Sequence, residues 1–136
     1  MQEITKLPIE QTIIIPSTKE FNKKITQREM KGRVEEVRKF FSKNYGGYTS
    51  VKGFGGYYSD DKNKLVNENI VKVTGFSSKT SYNKNKKKLD KRIIFWGNKW
   101  KQESIGYERE GDLLIYDTKT PDKIEQKVKK ERSKYV

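Results

Sequence analysis

Two carboxylates, Glu68 and Glu103, are the residues with the clearest chemical potential in this sequence. The chain has no histidine and no cysteine. Imidazole bases, thiolate nucleophiles, disulfides and the usual zinc ligands are therefore excluded, and chemistry must rest on carboxylate, lysine or hydroxyl groups. Glu68 and Glu103 each sit beside the expected start of a strand and would meet at one end of a sheet. Paired carboxylates can hold Mg²⁺ or act as base and acid in phosphodiester cleavage. The competing reading makes them ordinary salt-bridge or backbone partners in a lysine-rich surface. Asp60 and Asp61 belong to a turn, and Glu108, Glu110 and Asp112 read as solvated hairpin charges. These residue types imply no cofactor and no resident metal, and they favour a binding protein over an enzyme.

The second chemical feature is the stretch NYGGYTSVKGFGGYY, Asn44 to Tyr58, which carries five glycines and five aromatic rings. A phosphate-cradling loop needs its glycines after a strand and before a helix, so that backbone N–H groups and the helix N-terminus face the phosphates. Here the expected helix ends before the glycines begin, and that reading fails. A strand reading makes Gly53, Gly55 and Gly56 a bulge or close backbone approach, with Phe54 and Tyr57 packed on helices and Tyr48 and Tyr58 partly exposed. The rings also offer a stacking surface beside Lys52, as used for single-stranded nucleic acid.

The third feature is charge. Lysine and arginine number 31 against 18 acids, a formal net charge of +13, which attracts polyanions. The densest cluster is Lys84, Lys86, Lys87, Lys88, Lys91 and Arg92, the candidate phosphate contacts. A membrane partner is not expected, because no segment joins a long apolar face to a cationic one or reaches spanning length. With no apolar run at the N-terminus, the expectation is a cytoplasmic protein.

The elements that must position these groups follow from periodicity. TIIIP, Thr12 to Pro16, reads as a buried strand. Thr26 and Glu29 form a capping box for a helix carrying Met30, Val34, Val37, Phe40 and Phe41 inward, and Gly46 supplies its left-handed stop. Tyr48 to Ser59 and Glu68 to Phe76 read as one antiparallel hairpin around the turn at Asp60 to Lys64. SSKTSYNKNKKK reads as a mobile loop into a second helix, with Leu89, Ile93, Trp96 and Trp100 facing the core. A strand through Ile105 and Tyr107, a turn at Gly111 and a short run from Leu113 to Tyr116 follow. The result is an α+β, ferredoxin-like β-α-β-β-α-β plait, an antiparallel sheet with two helices on one face. It spans residues 12–118, between an N-terminal arm (1–11) and a basic C-terminal helix or tail (119–136) that Thr120 and Pro121 would start. The open sheet face would bind a ligand or pair with a second copy as a homodimer.

Two resemblances add to this. KGFG, Lys52 to Gly55, resembles the opening of the RNA-recognition-motif signature, although the match ends after four residues and falls on the second strand rather than the third. Over about Thr12 to Asp117 the chain resembles a group of small uncharacterised proteins of bacteria, archaea and mobile elements. Their pattern is Phe-Gly-Gly-x-Thr, Gly-x-Trp, a Glu opening one strand and Gln-Glu opening the last. Gly46, Gly47, Thr49, Gly56, Glu68, Gln102 and Glu103 match it, with Tyr45 in place of Phe and Tyr57 in place of Trp. The resemblance implies the fold and a mobile-element setting, and no activity.

The leading functional expectation is a nucleic-acid-binding or nucleoprotein-binding accessory protein of a phage or plasmid. The alternative is a counter-defence protein that blocks a nucleic-acid-guided nuclease or sequesters a small nucleotide signal. A third is a metal-dependent nuclease using Glu68 and Glu103.

Overall fold

The structure is a computed structural model that describes residues 3–20 and 22–118. Its elements, in chain order, are β1 (Ile9–Pro16), β2 (Thr18–Lys19), β3 (Lys23–Lys24), α1 (Gln27–Tyr45), β4 (Thr49–Ser59), β5 (Lys64–Ser77), α2 (Lys79–Lys99), β6 (Ser104–Arg109) and β7 (Asp112–Asp117). The main sheet is antiparallel in the order β4-β5-β1-β6-β7. With β7 set aside as an added edge, that is the strand order of the ferredoxin-like plait, so the expected α+β class holds.

Local chemistry sets the helix ends. The Thr26 hydroxyl accepts from the Glu29 N–H at 3.1 Å, and Gly46 at φ 93° ends α1 with its N–H donated to the Ser42 carbonyl. Both were legible as a capping box and a glycine stop. The expected mobile loop is instead helix. Ser78 caps α2 by accepting from Ser81, so the lysine-rich run is wound from Lys79 onward. Polar composition suggested a loop, but the N-cap serine and the anchoring of Leu89, Ile93, Trp96 and Trp100 in the core outweigh it.

Strand alternation then sorts the sheet into two faces. Gln11, Ile13 and Ile15 point under the helices and are fully buried, together with Val37, Phe41 and Ile93. Trp96 stacks on Trp100 at 5.7 Å, and Phe40 meets Trp96 edge-on at 5.7 Å. The buried Gln11 belongs to β1, which begins three residues before the expected strand. Its side-chain oxygen accepts from the Tyr107 hydroxyl at 2.5 Å, which satisfies both polar groups inside the core.

The β4–β5 ladder runs without interruption from Thr49↔Thr74 to Ser59↔Lys64. Gly53, Gly55 and Gly56 therefore form no bulge; Gly53 and Gly56 are sites of close approach. A Cβ on Gly56 would lie 2.8 Å from the Val66 carbonyl oxygen. Continuous alternation also splits the rings. Phe54 and Tyr58 lie on the helix side but past the helices, 71% and 56% exposed, while Tyr57 stands on the opposite, open face. Phe54 and Tyr57 are three residues apart, an odd spacing that a regular strand sends to opposite faces, so they cannot both pack on the helices.

The expected C-terminal helix or tail at 119–136 lies outside the described residues. Among the described residues, no helix is long and apolar enough to cross a membrane.

Candidate functional site

The open face of the sheet carries a cleft of about 860 Å³ at the end where β4 and β5 approach their turn. That size is in the range of small-molecule sites. Its floor is apolar, formed by Ile14, Val66, Ile70 and Ile115. Gly106, which lies opposite Ile14, leaves the floor open on the β6 side, and on β4 Gly53 and Gly55 lie opposite Ile70 and Glu68 in the strand registers. A Cβ on Gly53 or Gly106 would come within 3.2 Å of the facing isoleucine. A side chain at Gly106 would fill the depression.

The walls are polar. The short β2–β3 hairpin overhangs the face with Thr18, Glu20 and Asn22, the α2–β6 connection supplies Lys101, Gln102 and Glu103, and Tyr57 stands at the β4 side. Buried Arg33 ties these walls together. Its guanidinium donates to the carbonyls of Pro16 at 2.7 Å, Thr18 at 2.9 Å and Trp100 at 3.1 Å, and lies 5.5 Å from the Trp100 ring centroid. Burial lowers its pKa from 12.5, opposed by the fields of Glu29 and Glu68, and it stays protonated at neutral pH. Gln102 donates to the same Thr18 carbonyl at 2.5 Å. The Thr18 hydroxyl in turn donates to a Glu68 carboxylate oxygen at 2.9 Å. This chain of contacts fixes the Glu68 carboxylate at the cleft.

Glu68 and Glu103 thus line one cleft, although only Glu103 stands beside a strand start: β5 begins at Lys64, four residues before the expected Glu68, because the chain from Lys64 onward is already paired back onto β4. With Glu20 they bring three carboxylates to the cleft lining, where Lys101 is the lysine of the lining and Lys23 and Arg33 stand close behind. Glu20 is held by Lys23 at 2.7 Å and Lys101 at 3.7 Å, and Lys23, the first-named partner, draws its pKa below the usual carboxylate value. Among the described residues no group of three or more metal-ligating side chains comes together. The cleft therefore offers acceptors, an apolar floor and one aromatic wall, a set suited to an organic ligand with donor groups or positive charge.

The other candidates are dispersed. Tyr48 lies beside α1 under Arg38, whose guanidinium is 4.7 Å from the ring centroid and donates to the Tyr48 hydroxyl. Lys52, Phe54 and Tyr58 belong to the helix-side edge of β4. Lys84, Lys86, Lys87, Lys88, Lys91 and Arg92 are exposed along α2. The expected union of these lysines with the β4 rings does not form, because α2 packs chiefly over β6 and β7, at the end of the sheet away from β4. Thr18, Gln102 and Tyr57 do converge on Glu68 at the cleft. Gln102 was visible only through the Gln-Glu pattern, and Thr18 had no sequence signal.

No protein-family model and no curated protein matches the sequence. Two solved structures share the fold. One is a phage SAM lyase in complex with S-methyl-5'-thioadenosine, with a TM-score of 0.59 and 17% identity over 86% of this chain and 95% of that one. The other is a phage SAM lyase in the apo state, with a TM-score of 0.53 and 17% identity over 88% and 98% of the two chains.

Proposed function

We propose that the protein is a counter-defence enzyme of the phage type that binds S-adenosylmethionine in the open-face cleft and cleaves it to S-methyl-5'-thioadenosine. The observation that carries this reading is the gathering of three carboxylates and a tyrosine around an apolar floor, with the Glu68 carboxylate held in place by the Thr18 hydroxyl. S-adenosylmethionine presents a sulfonium, an ammonium, ribose hydroxyls and an adenine ring. Carboxylates and an aromatic face receive cations and donors, and the flat apolar floor receives the base. The shared fold, matched over nearly the full length of both chains, supports the reading.

The residue inventory suits this reaction. In an intramolecular displacement, the substrate's own carboxylate oxygen forms a bond to Cγ as the S–Cγ bond breaks. The electron pair leaves with sulfur. The products are a neutral thioether and a γ-lactone that keeps the ammonium, with no water consumed and no proton moved. Such a step needs no histidine or cysteine. It needs the substrate folded so that its carboxylate lies behind Cγ, in a site that strips water from the charges being neutralised. Ile14, Ile70, Val66 and Ile115 supply the dry floor. Glu68, oriented by Thr18, accepts the substrate's N–H and O–H donors, and Tyr57 bounds the site on the β4 side. Loss of S-adenosylmethionine deprives the host of the cofactor that methylating defence systems consume.

Incubation of the purified protein with S-adenosylmethionine, followed by mass spectrometry for S-methyl-5'-thioadenosine and the lactone, tests the proposal. Glu68→Gln keeps the shape and an oxygen for Thr18 but removes the charge; turnover should fall at least about tenfold with the melting temperature unchanged. Stoichiometric binding without product would make the cleft a sponge for a small nucleotide. The absence of both binding and product would refute the reading.

A further inference from the structure

The cationic face of α2 is not used by the cleft. Between Lys79 and Arg92 the helix carries seven cations and one acid, and that acid, Asp90, accepts from the Tyr116 hydroxyl at 2.6 Å. Lys84, Lys87, Lys88, Lys91 and Arg92 recur at i, i+3, i+4, i+7 and i+8, so they form one stripe opposite the buried Leu89, Ile93 and Trp96. The neighbouring α1 is built otherwise: Glu35 pairs with Arg38 and Lys39, and Glu36 with Lys99. Among the described residues, no ion pair reaches the α2 stripe. Like charges at these spacings repel and weaken a helix. The arrangement costs stability in the free protein and is relieved by a polyanion laid along it.

The stripe ends on an aromatic ring. Phe95, four residues after Lys91, is 51% exposed, and the Arg92 guanidinium lies 5.4 Å from its ring centroid. From Lys84 to Phe95 the track runs about 16 Å along the helix axis. A row of cations leading to an open ring is the arrangement that holds single-stranded nucleic acid, with phosphates on the lysines and a base on the ring. We propose that the α2 face is a single-stranded nucleic-acid site, separate from the cleft and with Phe95 as its stacking residue. The rings of β4, singled out with the lysines in the sequence, are not part of it.

The test is fluorescence anisotropy of the full chain with a labelled oligothymidine and a labelled duplex, each across a salt series. The combined change Lys84→Gln, Lys87→Gln and Lys91→Gln should weaken binding of the single strand and reduce its salt slope by about 2. Phe95→Ala should weaken it about tenfold with the slope unchanged. Both variants should keep the far-ultraviolet circular dichroism of the parent and its behaviour toward S-adenosylmethionine, which separates loss of the site from loss of the fold. A full salt slope in the triple variant would place phosphate contact elsewhere and overturn the proposal. Equal affinity for duplex and single strand together with a silent Phe95→Ala would overturn the stacking assignment, as would the absence of binding at low salt.

Discussion

Replacing Gly97 with alanine should destabilise the protein, although helix propensity alone says the opposite. Gly97 is buried in α2, and a Cβ there would sit 1.9 Å from Thr118 Cγ2 and 3.2 Å from Ile105 Cγ1. The first distance is about 1.6 Å short of a comfortable carbon–carbon contact. Thr118 cannot simply turn away, because its hydroxyl reaches the carbonyls of Gln102 and Glu103 and its N–H donates to Glu103 at 3.1 Å. Overpacking of this kind costs about 1–3 kcal/mol, and Ala over Gly in a helix returns about 1 kcal/mol. An approach of 1.9 Å belongs to the upper part of that range, about 2–3 kcal/mol, so the net loss is about 1–2 kcal/mol, or roughly 4–8 °C in Tm for a domain of this size. Thermal unfolding followed by circular dichroism measures it, and a double-mutant cycle isolates the cause. Thr118→Ser removes Cγ2 and keeps the hydroxyl, so Gly97→Ala should cost at least ~1 kcal/mol less in that background. A Gly97→Ala variant as stable as its parent, or the same cost in both backgrounds, would refute the packing argument. Gln102 and Glu103 line the cleft, so the wedge should also weaken ligand binding there.

Two further outcomes follow from buried polar groups elsewhere in the fold. Arg33→Met strips the Pro16 carbonyl of this donor and leaves those of Thr18 and Trp100 to Gln102, costing about 3 kcal/mol or ~10 °C in a thermal melt, and Arg33→Lys should not restore it, because an ammonium cannot span three acceptors held by a planar fork. Burial pushes the Tyr45 hydroxyl up to about 12 and raises Tyr107 and Tyr116 as well. The unfolded chain ionises these groups first, so stability should be complete below about pH 10 and fall as pH rises toward 12; Tyr45→Phe should make that fall shallower in melts at paired pH values. The oligothymidine titrations and the Glu68→Gln turnover assay complete the set.

Much of the fold was legible because its signals are local. Thr26 with Glu29 and Gly46 bracket α1, and the Leu89, Ile93, Trp96, Trp100 spacing defines the buried face of α2. The lysine run misled because composition reports solvent exposure, and an exposed helix face is as polar as a loop. The β4 rings misled because a bulge would have changed which face each one occupies, and only the ladder register shows that there is none. The site was half legible. Glu68 and Glu103 stood out by residue type, but the Thr18 hydroxyl, the Arg33 fork and the floor left open at Gly106 depend on contacts between segments far apart in the chain. Phe95 was hidden because a lone aromatic in a helix reads as core until its neighbours are placed.

The open-face cleft around Glu68 is the proposed ligand site. Amide chemical-shift mapping by NMR, with S-methyl-5'-thioadenosine titrated into the labelled protein, tests it most directly. Saturable shifts should be confined to the cleft and its borders, at Gly53, Gly55, Tyr57, Glu68, Gln102 and Gly106, with the α2 stripe unmoved. Shifts centred on α2, or none at saturating ligand, would contradict it.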